Sequence, residues 1–317
     1  MTNLPKITSV YFDPTTDFGF KKLFGEEANK DLLMDFLNSI LPQEHQIRTL
    51  TFQKTEQLPE HEEDRKSVFD ILCKDIHGEA FIVEMQRANM SHFMDRTIYY
   101  GTFPIQSQAK KGRWDFNLAR VYLIAVLDFE YDKDRDYWKK RQLLRSFSLR
   151  DEKGILMSDK LHFKFLQLPF FKKKRHQLGT RFDKWCYFLK NLEDFNSIPD
   201  ILNEPLFMKA FDVAKVSKMD PDDYVLYQIS KSKKYDMEIL EEEAEKRGLE
   251  RGFAKGIEKG MEKGMEKGKI EGKNEGEAEE RERNIIRLHL NGFTPLQISE
   301  LLDIPLDTIN SIVKKNG

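Results

Sequence analysis

The chain has 317 residues, of which 39% are hydrophobic and 33% are charged. These proportions are typical of a globular protein and exclude a fibrous or wholly disordered chain. A formal net charge of −2 also excludes a protein that coats nucleic acid non-specifically, so any nucleic-acid contact must use local basic patches.

The amino-terminal residues and the cysteines bear on location and on covalent links. No apolar run reaches the roughly 18 residues that cross a bilayer, and MTNLPKITSVYFDPTTD lacks the apolar segment of a signal peptide. We therefore expect a cytoplasmic protein with no membrane partner. The two cysteines, Cys73 and Cys186, lie in no CxxC or Cys/His cluster, which indicates neither a disulfide framework nor a zinc site.

The first 60 residues show helical spacing followed by strand-like alternation. Residues 17–41 carry apolar side chains at helical spacing and predict one or two short helices, which Pro42 ends. Residues 50–58 alternate between apolar and polar side chains in the manner of a strand.

Two clearer strands follow and are separated by a short loop. They are SVFDILCKD (67–75) and EAFIVEMQ (79–86). The intervening Ile76-His77-Gly78 predicts a hairpin loop in which Gly78 supplies the left-handed residue.

The middle of the chain mixes helical and strand patterns. Residues 90–111 predict a helix, and ARVYLIAVLD (119–128) is a nearly continuous apolar run of the kind found in a strand covered on both faces. Further along come an expected strand pair and a mainly helical stretch: 143–149, 161–168 and 181–239. Together these elements predict an α/β core over residues 10–240, with a mixed sheet flanked by helices.

A composition break follows, and residues 241–279 form a repeat tract. From Arg247 to Ala278 a four-residue unit repeats with glycine second, at 248, 252, 256, 260, 264, 268, 272 and 276. On a helix of about 3.6 residues per turn these glycines make a slowly drifting stripe. Each interior glycine lowers the stability of a helix by up to about 1 kcal/mol. Each Glu/Lys pair one turn apart stabilises the helix by only about 0.2–0.5 kcal/mol. The tract is interpreted either as a solvated helical linker or as a stripe that packs closely in a homodimer.

Residues 280–317 regain apolar periodicity and predict a small helical module. Thr294 can cap a helix that has Pro295 at its first position. A turn at 303–305 precedes a third helix at 306–314, which would be the recognition helix of a helix-turn-helix appendage. Alternatively, the apolar faces of this module dimerise or dock on the core.

The predicted hairpin carries the residues that point to chemistry. Cutting a phosphodiester needs a polarised phosphate and a deprotonated water, and Mg²⁺ held by oxygen ligands supplies both. With a three-residue loop Asp75 pairs with Glu79, and Asp70 lies opposite Glu84 at about 5 Å between Cβ atoms. Gln86 projects from the same face. A two-residue loop would put the acids on opposite faces.

Two carboxylates among apolar strand residues are costly to bury without a counter-charge. Asp70 and Glu84 are flanked by Phe69, Val83 and Met85, which favours a cation site over exposed strand carboxylates. The spacing D-x(13)-E-x-Q is not specific by itself, so both interpretations stay open at this point.

Several segments together resemble a known family. They are DFGFKKLFG (17–25), FDILCKDIHGEAFIVEMQ (69–86), DRTIYY (95–100), SQAKKGRWDFNLARVYLIAVLDF (107–129) and the late KG-rich tract. In combination they resemble the Rpn family of recombination-promoting nucleases, commonly labelled transposases, within the PD-(D/E)XK superfamily. The resemblance spans roughly residues 10–315.

The resemblance implies a restriction-endonuclease-like fold and DNA cleavage that depends on Mg²⁺, with Mn²⁺ as an alternative ion. Asp70 matches the metal-binding aspartate and Glu84 the second carboxylate, and the Met85 backbone carbonyl is a further expected ligand. Gln86 stands where the wider superfamily usually has lysine, although the Rpn-like branch commonly carries glutamine. Because a neutral amide can only hydrogen-bond, we expect slow activity.

Other residues are assigned supporting roles. Asp17 is interpreted either as a further catalytic acid or as the cap of the first helix. Lys21 and Lys22 are interpreted as phosphate contacts or as a source of the missing charge, the alternative being ordinary surface lysines. Arg96 and Tyr99, on the helix expected beside the hairpin, are interpreted as DNA contacts or as packing residues.

Two basic clusters lie beside aromatic residues. They are 139–141 and 172–175, and each is interpreted as a rim that contacts the DNA backbone or as a solvated loop. The sequence thus predicts a metal-dependent DNA endonuclease linked to recombination or mobile elements. The alternative is a non-catalytic DNA-binding regulator that keeps the nuclease scaffold and works through its terminal module.

Overall fold

The structure, a computed structural model, describes residues 7–57, 67–88, 92–131 and 142–316. It divides into two compact units, Met1–Ile239 and Leu240–Gly317. Within the described ranges, no helix combines the length and apolarity that a bilayer crossing requires.

A six-stranded mixed sheet forms the centre of the first unit. The strands of the unit are β1 (Thr51–Phe52), β2 (Glu56–Gln57), β3 (Ser67–Val68), β4 (Ile71–Lys74), β5 (Ala80–Gln86), β6 (Val121–Leu127), β7 (Leu144–Arg150) and β8 (Leu156–Gln167). The sheet has the order β1-β4-β5-β6-β8-β7, while β2 and β3 form a separate pair. β6 is parallel to β5 and β8, and all seven of its residues are buried, as its apolar run predicts.

Helices cover both faces of the sheet. They are α1 (Asp17–Phe24), α2 (Lys30–Ile40), α3 (Phe93–Gln106), α4 (Arg181–Asn191), α5 (Pro205–Val213) and the start of α6 (Pro221–Leu290). Along β5, Phe81 and Val83 pack against the core shared with α1, α2, α4, α5 and α6, whereas Ile82 packs on the α3 side. The predicted mixed sheet flanked by helices is therefore confirmed.

Three predicted elements differ in extent. The expected strand 67–75 is interrupted at residues 69–70, and the expected strand 50–58 consists of two short strands that pair with different partners; residue 58 lies outside the described residues. The helix expected over 90–111 ends at Gln106, because the Gln108 amide bonds both the N–H and the C=O of Ala119 and turns the chain toward β6. Its expected start at 90–91 also lies outside the described residues.

The β4–β5 hairpin has the register that a three-residue loop predicts. Ile71 lies opposite Val83, and the Asp75 N–H donates to the Glu79 carbonyl (3.0 Å). Gly78 has φ +79°, in the left-handed region that favours glycine. One step beyond Ile71, this register sets Asp70 opposite Glu84.

In the second unit, α6 is helical through the whole glycine repeat. Residues 242–281 are exposed throughout, and ion pairs such as Lys267–Glu271 (3.6 Å) join successive turns. Such pairs stabilise a helix by only about 0.3–0.5 kcal/mol each.

The end of the second unit is a three-helix module. Ile285, Ile298 and Ile309 form its buried centre, one each from α6, α7 (Pro295–Leu302) and α8 (Leu306–Asn316). The Thr294 hydroxyl accepts the Gln297 N–H (3.4 Å), which confirms the predicted cap. These helices match the three expected over 280–315.

A buried ionic cluster fixes the segment that leads into α1. The Asp13 carboxylate accepts from Thr15 (N–H 2.9 Å, hydroxyl 2.7 Å), from Lys231 (3.2 Å) and from Lys234 (2.9 Å), while the Asp13 N–H donates to the Tyr227 hydroxyl (2.8 Å). Burial raises the pKa of Asp13, but Lys234 and Lys231 more than offset this and hold it at about 2. The cluster therefore anchors α1 to α6.

Asp13→Asn should destabilise the first unit by about 2 kcal/mol at neutral pH, because it leaves two lysines facing a neutral amide. Since the pKa of Asp13 is lowered, its contribution is present above about pH 4 and is lost as the pH falls toward about 2. Urea unfolding followed by tryptophan fluorescence should show a large difference at pH 7 and little near pH 2. A matching loss in the control Asp212→Asn, a half-exposed acid on α5, would contradict this.

Candidate functional site

The break between β3 and β4 opens the end of the sheet. The Phe69 N–H donates to the Thr55 carbonyl (3.1 Å) instead of to β5. The Met85 N–H therefore donates to Oδ2 of Asp70 (2.8 Å), and the Asp70 N–H donates to Oε1 of Glu84 (3.3 Å). This reciprocal pair of bonds holds the two carboxyl groups together at the sheet end.

The backbone of Met85 faces the same place. In β5 the even-numbered residues bond to β6, as when the Asp128 N–H donates to the Gln86 carbonyl (3.0 Å). The N–H and C=O of one strand residue point to the same side. Since the Met85 N–H points to Asp70, the Met85 C=O points to that side too.

Negative charge at this position is poorly compensated. Burial and the nearby Asp70 raise the pKa of Glu84 to about 8. Burial also raises the pKa of Asp70, although the Met85 N–H and the Lys21 ammonium partly oppose that effect. The two carboxyl groups would accept a further cation.

Lys21 supplies one positive charge to the pair. Its Nζ lies 2.9 Å from Oδ1 of Asp17 and 3.3 Å from Oδ1 of Asp70. Asp17 is therefore joined to the carboxyl pair through Lys21. The cap of α1 is Thr16, whose hydroxyl accepts the Gly19 N–H (3.0 Å), so the alternative of Asp17 as the cap is wrong.

Gln86 is buried and fully oriented. Its Nε2 donates to the Ala88 carbonyl (3.0 Å), and its Oε1 accepts from the guanidinium of Arg96. Arg96 also lies over the Tyr100 ring, 5.8 Å from its centroid. The structure thus places the Arg96 cation directly beside the Gln86 side chain.

An open cleft of about 710 Å³ lies beside Asp70. Its lining combines residues of α1, of the sheet end and of α6: Asp17, Lys21 and Lys22, then Asp70 and Arg87, then Asp223, Ser230 and Lys233 among others. Arg87 donates to the Ser230 carbonyl (3.4 Å), which ties the end of β5 to α6. Cations and acids are interspersed along this cleft.

The remaining predicted residues are placed less centrally. Lys22 lines the cleft, but its ammonium is paired with Glu26 and Asp223 (2.7 Å each). Tyr99 does not line the cleft; it is 55% exposed on α3, with its ring 4.9 Å from that of Phe103.

Of the two basic clusters, the structure describes the one at 172–175, and none of its residues lines the cleft. The cluster at 139–141 lies outside the described residues. In the cluster at 172–175, Lys173 is bound to Asp183 (2.7 and 2.8 Å), and the neighbouring Phe171 is buried in the core.

The donor set suits a hard divalent cation. Among the described residues there is no group of three or more His, Cys, Asp or Glu side chains placed to hold a metal. Mg²⁺ nevertheless commonly uses one or two carboxylates, with water and phosphate oxygens completing its shell. Asp70, Glu84 and the Met85 carbonyl fit that requirement.

Sequence reasoning missed the α6 contribution. Ser230 and Lys233 join the cleft from about 160 residues beyond Asp70, and no local pattern signals such a contact. The run Lys231-Ser-Lys-Lys234 and the basic Arg87 directly after Gln86 were the available signals.

Comparison with known proteins gives one family match. The model of a family described as "PD-(D/E)XK nuclease family transposase" matches residues 14–244. That range contains the carboxyl pair, Lys21, Gln86 and the α6 residues of the cleft. Searches of curated proteins and of solved structures gave no match.

Glu84→Gln should stabilise metal-free protein increasingly as the pH rises. Because the pKa of Glu84 is raised, the wild-type protein loses stability between about pH 4.5 and pH 8, and the neutral amide removes that loss. We expect the gain to be small at pH 4.5 and to grow steadily toward pH 8. Urea unfolding in EDTA measures it; a difference that does not change with pH would refute the stated cause.

Proposed function

The chain belongs to the PD-(D/E)XK nuclease family transposases, and from that membership we propose that it is a divalent-metal-dependent DNA endonuclease. Family membership supports a nuclease role connected with mobile elements. Mg²⁺ is the proposed ion and Mn²⁺ the alternative, and phosphodiester hydrolysis in DNA is the proposed reaction.

The observation that carries this proposal is the bonding of Asp70 to two neighbours on β5: its N–H donates to Glu84 Oε1, and its carboxylate accepts the Met85 N–H. Asp70, Glu84 and the Met85 carbonyl would hold the ion. A bound divalent ion supplies Lewis-acid polarisation of the phosphate and eases deprotonation of the attacking water. The raised pKa of both carboxyl groups supports this assignment, because a cation in contact would favour their charged forms.

The positive charge that a lysine would provide is assigned to two other residues. Arg96, oriented by the side-chain amide oxygen Oε1 of Gln86, would stabilise charge that builds up on the phosphate. When a metal cation binds beside Asp70, the Lys21 ammonium would move from Asp70 toward a phosphate oxygen. Lys21 would stay paired with Asp17. Gln86 acts as the positioning residue for Arg96, and its second amide hydrogen can orient water or phosphate.

The DNA backbone is proposed to follow the cleft between α1 and α6. Arg87 and Lys233 line the cleft, and neither forms an ion pair with a carboxylate of the described residues. Both would therefore contact phosphate oxygens. Lys22, neutralised by Glu26 and Asp223, would contribute less. Tyr99 stays a prediction as a more distant contact on the α3 side.

A regulator without cleavage activity is the second candidate. Glutamine in place of lysine favours it, because the amide lacks the positive charge that would assist catalysis. The Lys21–Asp70 contact favours it too, because an ammonium already neutralises one of the two acids. DNA binding that persists in Mg²⁺ and Mn²⁺ without any strand cleavage would select it over the nuclease.

Asp70→Asn and Glu84→Gln should each lower plasmid nicking in Mg²⁺ by at least about 100-fold, because each removes a charged ligand. Supercoiled plasmid resolved on agarose measures the rate. Asp212→Asn, a half-exposed acid on α5, is the matched control and should cut like the wild type. Equal loss in the control, or undiminished cutting by both site variants, would overturn the assignment.

Arg87→Ala and Lys233→Ala should each weaken DNA binding by a factor that does not depend on the DNA sequence, because phosphate contacts carry no sequence information. Each should also reduce the slope of log affinity against log salt by about 1, as expected for one lost phosphate contact. Fluorescence anisotropy with a labelled duplex in Ca²⁺ gives both quantities. Lys218→Ala, a lysine paired with Asp212 on the same unit, should leave the slope unchanged.

A further inference from the structure

The glycine tract of α6 presents two different rows of residues. From residue 247 to 266 each repeat reads cation, glycine, large apolar residue, acid, with Ala254 as the one replacement of an acid. Successive residues turn by about 100°, so within each repeat the glycine and the apolar residue share one half of the helix, and the cation and the acid share the other. From one repeat to the next the pattern turns by about 40° in the right-handed sense, so a partner helix stays in contact with it only by wrapping around it. We call the first half the repeat face: glycines 248, 252, 256, 260 and 264, with Leu249, Phe253, Ile257, Met261 and Met265.

The apolar row of the repeat face is exposed. Leu249, Phe253, Met261 and Met265 are between 71% and 77% exposed, and Ile257 is 48% exposed. Five such side chains on each of two helices present on the order of 1,200 Å², near the lower end of what a stable interface buries. Two such helices would bury this area if they wrap around each other with a right-handed twist along all five repeats.

The glycine row has no packing partner among the residues of one chain that the structure describes. There, a Cβ added at any glycine from Gly248 to Gly276 would meet nothing within 4 Å. None of these glycines needs a left-handed backbone, because the tract is helical throughout. Alanine at these positions would stabilise the same helix. The glycines leave a shallow groove along the helix, and we therefore assign that groove to a partner that packs against it.

The two rows are complementary to each other. In a parallel pair the two-fold axis runs along the helices and sets the apolar row of each helix against the glycine row of the other. In an antiparallel pair the axis lies across the helices and sets apolar row on apolar row and glycine on glycine. The ridge-into-groove fit therefore selects the parallel pair.

Charge is compatible with such pairing. The five repeats carry five cations and four acids, and in each repeat these lie opposite its glycine and its apolar residue. Two helices that wrap around each other along the repeat face therefore bury no charge, and their repeats are nearly neutral toward each other. Rows spaced four residues apart cross at about −40 to −50°. We propose that the repeat face is a self-association surface through which two copies of this chain form a parallel homodimer.

The first experiment measures the mass of the full-length chain. Sedimentation equilibrium at micromolar concentration should give twice 37.5 kDa. Gly260→Leu should raise the dimer dissociation constant at least about tenfold by filling the groove, although leucine favours the helix. Glu262→Leu places the same side chain on the charged half and should leave the constant unchanged. A monomeric wild type, or a Gly260→Leu dimer of normal affinity, would overturn the proposal.

The second experiment determines direction. Leu249→Cys and Met265→Cys lie about 24 Å apart along the helix, and the native Cys73 and Cys186 are buried. With a short bismaleimide, each variant should cross-link to itself in a parallel dimer. Cross-linking only when the two variants are mixed would show the antiparallel pair and overturn the proposed arrangement. Because no DNA is involved, either result is independent of cleavage.

Discussion

The N–H of Met85 donates to the Asp70 side chain because the neighbouring strand is interrupted at residues 69 and 70. Phe69 bonds to Thr55, β4 begins at Ile71, and the Asp70 carboxylate takes the place of the missing strand. The Asp70 N–H in turn holds Glu84. Two acids are thereby fixed at the end of a buried sheet, where their mutual repulsion and their burial make a cation the natural third component. The proposed metal chemistry depends on this exchange of a backbone partner for a carboxylate.

Positive charge reaches this centre from three directions instead of from one lysine. Lys21 comes from α1 and touches Asp70; Arg96 comes from α3 and is oriented by Gln86; Lys233 lines the cleft from α6. The α1 contribution depends on the Asp13 cluster, which fixes the start of α1 to α6. A neutral glutamine at position 86 is therefore compatible with a charged environment, because it holds a guanidinium in place.

The hairpin could be predicted from sequence because period-two alternation and Gly78 are local signals, and its register followed from loop length alone. The Thr294 cap was predictable for the same reason. The strand break was not, since SVFDILCKD has continuous strand character and only the long-range Phe69–Thr55 bond interrupts it. The sequence also did not predict the pairing of Gln86 with Arg96 or the position of Ser230 at the cleft. Which side chains meet across different elements depends on how those elements pack. The catalytic roles stay predictions until cleavage is measured.

The central claim is that one divalent ion is held by both acids of the hairpin. Anomalous diffraction from a crystal grown with Mn²⁺ tests it directly. We predict a peak within about 2.5 Å of a carboxylate oxygen from each of Asp70 and Glu84 and of the Met85 carbonyl, with the Lys21 ammonium displaced from Asp70. Saturating Mn²⁺ that leaves this position without a peak, or a peak coordinated by one of the two acids alone, would contradict the account.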